Sequence, residues 1–160
     1  MAILIITTGG TIDKVYFDAL SRYQIGESQI GRLLEVARAT IPFEIQELLR
    51  KDSLDLDDED RKAIADAVAV SDATQIVITH GSDTMTETAK ALAGIAGKTV
   101  VLVGALAPAR FAESDAPFNL GMAVATAQIA PPGIYITMNG TVFPADQVVK
   151  DREKGAFVRR

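Results

Sequence analysis

The chain has no cysteine, one histidine and no long apolar run, and each of these absences narrows what it can be. Without cysteine there is no disulfide framework, no thiolate metal site and no thiol nucleophile. A lone histidine, His80, cannot build a histidine-rich metal centre, and the reading favoured for it is a buried, hydrogen-bonded side chain. No uninterrupted apolar stretch approaches the roughly 20 residues that span a bilayer. The opening M-A-I-L-I-I-T-T-G-G lacks a charged leader segment and is too short for a secretion signal, so a cytoplasmic location is expected. Positive charge is scarce as well: 16 Lys and Arg against 21 Asp and Glu leave a net charge of −5. That balance argues against non-specific nucleic-acid binding and against a polybasic membrane contact. Internal repeats, low-complexity tracts and linkers are also missing, so 160 residues with 48% hydrophobic content are read as one domain with an ample core.

What is present alternates in kind. Ile3–Thr7, Phe43–Leu49, Gln75–Thr79, Thr99–Val103 and Gly133–Met138 are short and rich in Ile, Val, Leu or Phe, the composition of strands. Q-I-V-I-T and T-V-V-L-V are nearly continuous apolar runs, as expected of strands covered on both faces. Residues 43–48 partly alternate, which suits an edge or half-covered strand. Helical patterns lie between. Ser28 precedes one carrying Ile30, Leu33, Leu34 and Ala37. Asp57 precedes one carrying Ile64, Ala67 and Val68, with Asp58, Glu59 and Asp60 at its positive end. Ser82 or Asp83 precedes a third over Met85–Ile95, and Pro117 opens a fourth that Pro131 and Pro132 stop. The order β-α-β-α-β-α-β-α-β predicts an α/β fold: a doubly wound, mostly parallel sheet with helices on both faces, flavodoxin- or Rossmann-like.

In such a sheet ligands bind beyond the carboxyl ends of the strands. The segments expected there are T-T-G-G-T-I-D-K (Thr7–Lys14), K-D-S-L-D (Lys51–Asp55), H-G-S-D-T (His80–Thr84) and G-A-L-A-P-A-R-F-A-E-S-D-A-P-F-N-L (Gly104–Leu120). Neither G-x-G-x-x-G nor G-x-x-x-x-G-K-[ST] is present, which counts against a dinucleotide or P-loop site. Gly9 and Gly10 permit a sharp turn and close backbone approach, with Thr11 placed at the rim. Read alone, that turn needs no function, and Ser82 or Asp83 can serve simply as a helix cap. Asp52 and Ser53 can bind polar ligand groups or form a turn. Tyr16 and Tyr23 lie in a segment, Ile12 to Glu27, longer than most connections, so it is either functional or disordered.

Taken together and in this order, T-G-G-T-I, D-S-x-D, H-G-S-D-T-M-x-E-T-A and S-D-A-P-F-N-L resemble the bacterial-type L-asparaginases, from about Ile3 to Lys150. The resemblance implies hydrolysis of L-asparagine to L-aspartate and ammonia, with some glutaminase activity and without metal or cofactor. It implies Thr11 as nucleophile, Tyr16 or Tyr23 as its assisting tyrosine, and Ser82 in the position of a second catalytic threonine. Lys150, in T-V-F-P-A-D-Q-V-V-K, matches the family lysine. Ser53 matches the residue that holds the substrate α-carboxylate, and Asp83 the one that holds the α-amino group. Gly10, Asp52 and Gly81 adjoin these and are grouped with the substrate-binding residues. Backbone N–H groups near Thr11 and Ser82 are placed to stabilise an oxyanion, a contribution of roughly 3–4 kcal/mol per donor.

Three departures from the family stand out. Ser82 keeps the hydroxyl but lacks the methyl that restricts its rotamers. Leu54 replaces a polar residue common among relatives. A second domain, present in most relatives, is expected to be missing after Lys150, with residues 150–160 frayed, a more open pocket, and a homodimer or higher homo-oligomer restoring part of the wall. The alternatives are a non-catalytic amino-acid-binding domain, an amidohydrolase for a different small amide, and a nucleotide-binding module.

Overall fold

The computed structural model describes residues 2–160. The chain runs β1 (Ile3–Gly9), a 3-10 turn over Thr11–Asp13, β2 (Lys14–Phe17), β3 (Arg22–Ile25), α1 (Ile30–Val36) and β4 (Phe43–Lys51). It continues through α2 (Asp58–Val70), β5 (Gln75–Thr79), α3 (Met85–Ala91), β6 (Thr99–Val103) and α4 (Ala116–Ile129). It closes with β7 (Gly133–Met138), β8 (Thr141–Pro144), β9 (Val148–Asp151) and β10 (Ala156–Arg159). The main sheet has the order β4-β1-β5-β6-β7-β8, parallel except for the antiparallel β7–β8 pair. Its five parallel strands give the flavodoxin-like 2-1-3-4-5 arrangement, whose order reverses between β1 and β5.

Alternation along the strands divides the core into two layers. Ile3, Ile5, Val77, Val101 and Val103 face α1 and α4, meeting Ile30, Leu33, Leu34, Leu120 and Ala123. Leu4, Ile6, Ile76, Ile78, Val100 and Leu102 face α2 and α3, meeting Ile64, Val68, Met85 and Leu92. Burial on both faces explains why β5 and β6 read as continuous apolar runs. The partly alternating segment, β4, lies at the sheet edge.

Three local expectations are corrected. The segment 12–27 is ordered as the β2–β3 hairpin, with Tyr16 directly opposite Tyr23. Residues 150–160 are not a frayed tail: β9 and β10 form a two-stranded ribbon, and Phe157 is buried at 3% exposure because its ring joins the core beside Phe143 and Val148. The third helix begins after Thr84 and spans only Met85–Ala91. Its expected caps, Ser82 and Asp83, bond elsewhere. Asp57 does cap α2, through a reciprocal box with Asp60. At α1 the Ser28 hydroxyl accepts from Ile30 N at 3.3 Å, one residue ahead of the structural cap Gln29. Among the described residues no helix is long and apolar enough to cross a membrane.

Candidate active site

Three loops meet where the strand order reverses. Gly10 follows β1 with φ 89° and ψ −179°, and a Cβ built on it would lie 2.5 Å from Gly81 N and 2.6 Å from Gly81 Cα. A Cβ on Gly81 would in turn lie 2.6 Å from Ser53 Cβ and 2.7 Å from Ser53 Oγ. The backbones after β1 and β5 therefore touch, and the turn after β4 packs on the second. Only glycine permits this approach at either position.

The hydrogen bonds reinforce the junction. Gly10 N donates to Lys51 O at 3.0 Å. Thr8 Oγ1 donates to Thr79 O at 2.7 Å, tying β1 to β5 just below the site. Ser53 is buried; its Oγ accepts from Thr84 N at 3.3 Å and its carbonyl accepts from Thr84 Oγ1 at 2.7 Å. The sequence gives Thr84 no distinguishing signal, since a hydroxyl at a helix start has an ordinary capping explanation. Here that hydroxyl is spent on the Ser53 carbonyl, so Thr84 joins two loops.

Lys150 Nζ donates to Ser82 Oγ at 2.8 Å and to Asp83 Oδ1 at 2.8 Å. This is why neither side chain caps α3. The Lys150 hydrogen bond holds the Asp83 carboxyl below the ordinary carboxylate range, assisted by the charges of Lys150, Arg152 and Lys14. Asp52 pairs with Lys14 at 3.2 Å. Thr11, Ser53, Ser82, Asp83 and Lys150, separated by up to 139 positions, thus stand on the rim of one switch point or on the loops packed against it.

The tyrosines are set apart. Tyr16 and Tyr23 pack edge to face with ring centroids 5.5 Å apart, and Tyr23 meets Phe111 at 5.9 Å. Both are about half exposed. Tyr23, Lys14, Asp52 and Asp55 help line a hollow of about 420 Å³ beside the junction, whereas Tyr16 does not. A second, more apolar hollow of about 380 Å³ by Ala89, Ile134 and Tyr135 contains none of these groups.

His80 supports the junction from beneath. It is fully buried, its Nδ1 lies 2.6 Å from Gly81 O and its Nε2 2.6 Å from Thr88 Oγ1. A carbonyl oxygen only accepts, so Nδ1 carries the proton and Nε2 accepts from the Thr88 hydroxyl. Burial pushes its pKa down to about 4, and the ring stays neutral.

Asp13 fastens the base of the tyrosine hairpin. Its carbonyl accepts from Gly26 N at 2.9 Å and its Oδ1 from Gln29 N at 2.9 Å. Burial pushes this carboxyl up to about 6, against the opposing hydrogen bond from Gln29, with smaller effects of Glu47 upward and Arg50 downward. Between pH 4 and 6 the folded chain keeps a proton that the unfolded chain has lost. The contribution of Asp13 to stability is therefore complete below its unfolded pKa and declines as pH rises to about 6, by about 3 kcal/mol in all. Asp13→Asn keeps the acceptor and removes the charge. Thermal melts should show the variant gaining on wild type between pH 4 and 7; a gap that does not vary with pH would place this titration elsewhere.

These features define an open α/β domain with a polar site at its strand-order switch point. Comparison with known proteins makes the assignment closer. The family model for the asparaginase N-terminal domain matches residues 2–156, and the chain belongs to that family. It is 32% identical over 161 residues to the L-asparaginase of Thermococcus kodakarensis, covering 97% of this chain and 49% of that protein. It is 34% identical over 159 residues to L-asparaginase 2 of Escherichia coli, covering 92% and 46%. The solved thermostable L-asparaginase from Thermococcus kodakarensis superposes with a TM-score of 0.85 at 31% identity, over 99% of this chain and 51% of that one. The chain spans about half the length of the relatives it matches.

Proposed function

We propose that this chain hydrolyses L-asparagine to L-aspartate and ammonia, with Thr11 as the nucleophile. The observation that carries the reading is the junction of Gly10, Gly81 and Ser53 at the switch point, with Lys150 bridging Ser82 and Asp83 above it. The names of the similar proteins support the substrate.

In this reading the substrate carboxamide lies over the glycine junction. Asp83, held ionised by Lys150, receives the α-ammonium group, and the Ser53 turn beside Asp52 receives the α-carboxylate. Thr11 Oγ1 attacks the carboxamide carbon while its proton passes to a neighbouring base, for which we favour Tyr23 over Tyr16 because Tyr23 lines the hollow with Lys14 and Asp52. Backbone N–H groups at Thr11 and Ser82 stabilise the oxyanion. The C–N bond then breaks, ammonia leaves with a proton, and water hydrolyses the aspartyl–Thr11 ester. Ser82, bonded to Lys150 Nζ, positions that water. The reading includes weak glutaminase activity, a cytoplasmic location and a homodimer or larger homo-oligomer. Exposed Tyr16, Phe17, Leu20 and Phe111 give such an assembly an apolar patch beside the site.

Ammonia release from L-asparagine, L-glutamine and D-asparagine by the purified protein tests this. Turnover of L-asparagine above the other two is expected. Calorimetric binding of aspartate with no ammonia from any of the three would replace the reading with an amino-acid-binding domain.

A further inference from the structure

Lys150 does not stand on the main sheet. It is carried by β9, whose strand partner is β10 in a separate two-stranded ribbon, with Lys150 directly opposite Phe157. The placement of the lysine therefore depends on what fastens Phe157. Its ring is buried in the core, and its N–H donates to Asn139 Oδ1 at 2.7 Å. Asn139 lies 11 positions before Lys150 in sequence, in the two-residue turn between Met138 and Thr141. Asn139 and Gly140 have φ values of 53° and 70°, the paired positive angles of an Asn-Gly hairpin turn. Within the turn the Asn backbone satisfies the hairpin, which leaves the side-chain carbonyl free to accept from another element.

We infer that Asn139 is a positioning residue: its side-chain carbonyl docks β10 and thereby sets Lys150 against Ser82 and Asp83. The inference rests on the proposed function for its kinetic consequence, but not for its structural one. A ribbon released from Asn139 keeps its own pairing and its Phe157 ring, so the fold survives while the lysine's address loosens.

Two variants separate the side chain from the turn. Asn139→Gly keeps the positive-φ backbone and removes only the acceptor. Asn139→Asp keeps both. The first readout is brief acylation of the purified full chain with acetic anhydride, mapped by peptide mass spectrometry. The Lys150 side chain is 17% exposed and Lys154 71%, so Lys154 serves as an internal reference. In Asn139→Gly, Lys150 labelling relative to Lys154 should rise about fivefold, and in Asn139→Asp it should stay near wild type. The second readout is kinetic: with L-asparagine, kcat should fall about tenfold in Asn139→Gly with KM within about twofold, and Asn139→Asp should recover it. Unchanged Lys150 labelling in Asn139→Gly overturns the inference, as does equal labelling in the two variants. Because labelling is independent of turnover, a protein that releases no ammonia defeats the proposed function and leaves the labelling test intact.

Discussion

Thr11→Ala is expected to lower ammonia release from L-asparagine by about 10³-fold or more, while the melting midpoint moves by only about 2 °C. The size of the effect follows from the lack of a substitute. Thr7 is buried, and the Thr8 hydroxyl is buried and spent on Thr79 O. Ser53 is buried under Gly81, and Ser82 Oγ is engaged by Lys150 Nζ. Thr11 alone among the hydroxyls of the β1 loop is partly open to solvent, at the first position of its 3-10 turn. Losing a methyl and a hydroxyl there leaves Ile12 in the core and the Asp13 N to Gly10 O bond intact, hence the small thermal change. Thr11→Ser should retain measurable turnover. An alanine variant as active as wild type would remove Thr11 from the chemistry.

The second large effect is on the scaffold. Gly10→Ala should destabilise the chain by about 4 kcal/mol, a fall in melting midpoint of about 10 °C, and abolish turnover with it. Two independent causes add. A φ of 89° with ψ near 180° is a region essentially closed to residues with a Cβ. The new methyl would also press on Gly81 N and Cα, backbone atoms that cannot turn aside as a side-chain end can. Relief requires the β1 and β5 loops to separate, which withdraws Thr11 from Ser82 and Asp83. Circular-dichroism melts and the ammonia assay measure the two parts. A variant with wild-type stability would mean that the junction tolerates a gap.

Much of this was legible in the sequence because the signals were strong and local. The apolar runs at Gln75–Thr79 and Thr99–Val103 could be buried only on both faces, and the helical patterns between strands fixed the doubly wound class. Asp57 announced its cap, though not the reciprocal bond from Asp60. What escaped was of two kinds. The β7–β8 hairpin has a plain local signal in Met138-Asn139-Gly140-Thr141, but the strand after it, T-V-F-P, is short and ends in proline. The ribbon of β9 and β10 had none: V-V-K-D and A-F-V-R are short, half polar and stabilised by tertiary contacts, the burial of Phe157 and the bond to Asn139. Charge alone made residues 150–160 look frayed. At the site, the sequence placed Thr11, Ser82 and Asp83 on one rim, because a parallel sheet gathers the carboxyl ends of its strands there; that their loops are neighbours follows from the observed strand order. For the assisting tyrosine the sequence pulled two ways, since Tyr23-Gln24-Ile25-Gly26 fits the family spacing while Tyr16 lies nearer Thr11, and the hairpin sets both on one face in register.

The way the site is stitched also bears on when it can exist. The Thr8–Thr79 bond spans 71 positions and the Lys150–Ser82 bond 68. Contacts of such separation require large loops to close and form slowly relative to local ones. On the ribosome, Thr11, Ser53, Ser82 and Asp83 all emerge well before Lys150, so for several seconds of synthesis the acidic side chain and its hydroxyl neighbour await their cation. Until the lysine ribbon docks, the nascent chain thus holds Ser82 and Asp83 without the cation that joins them in the folded protein.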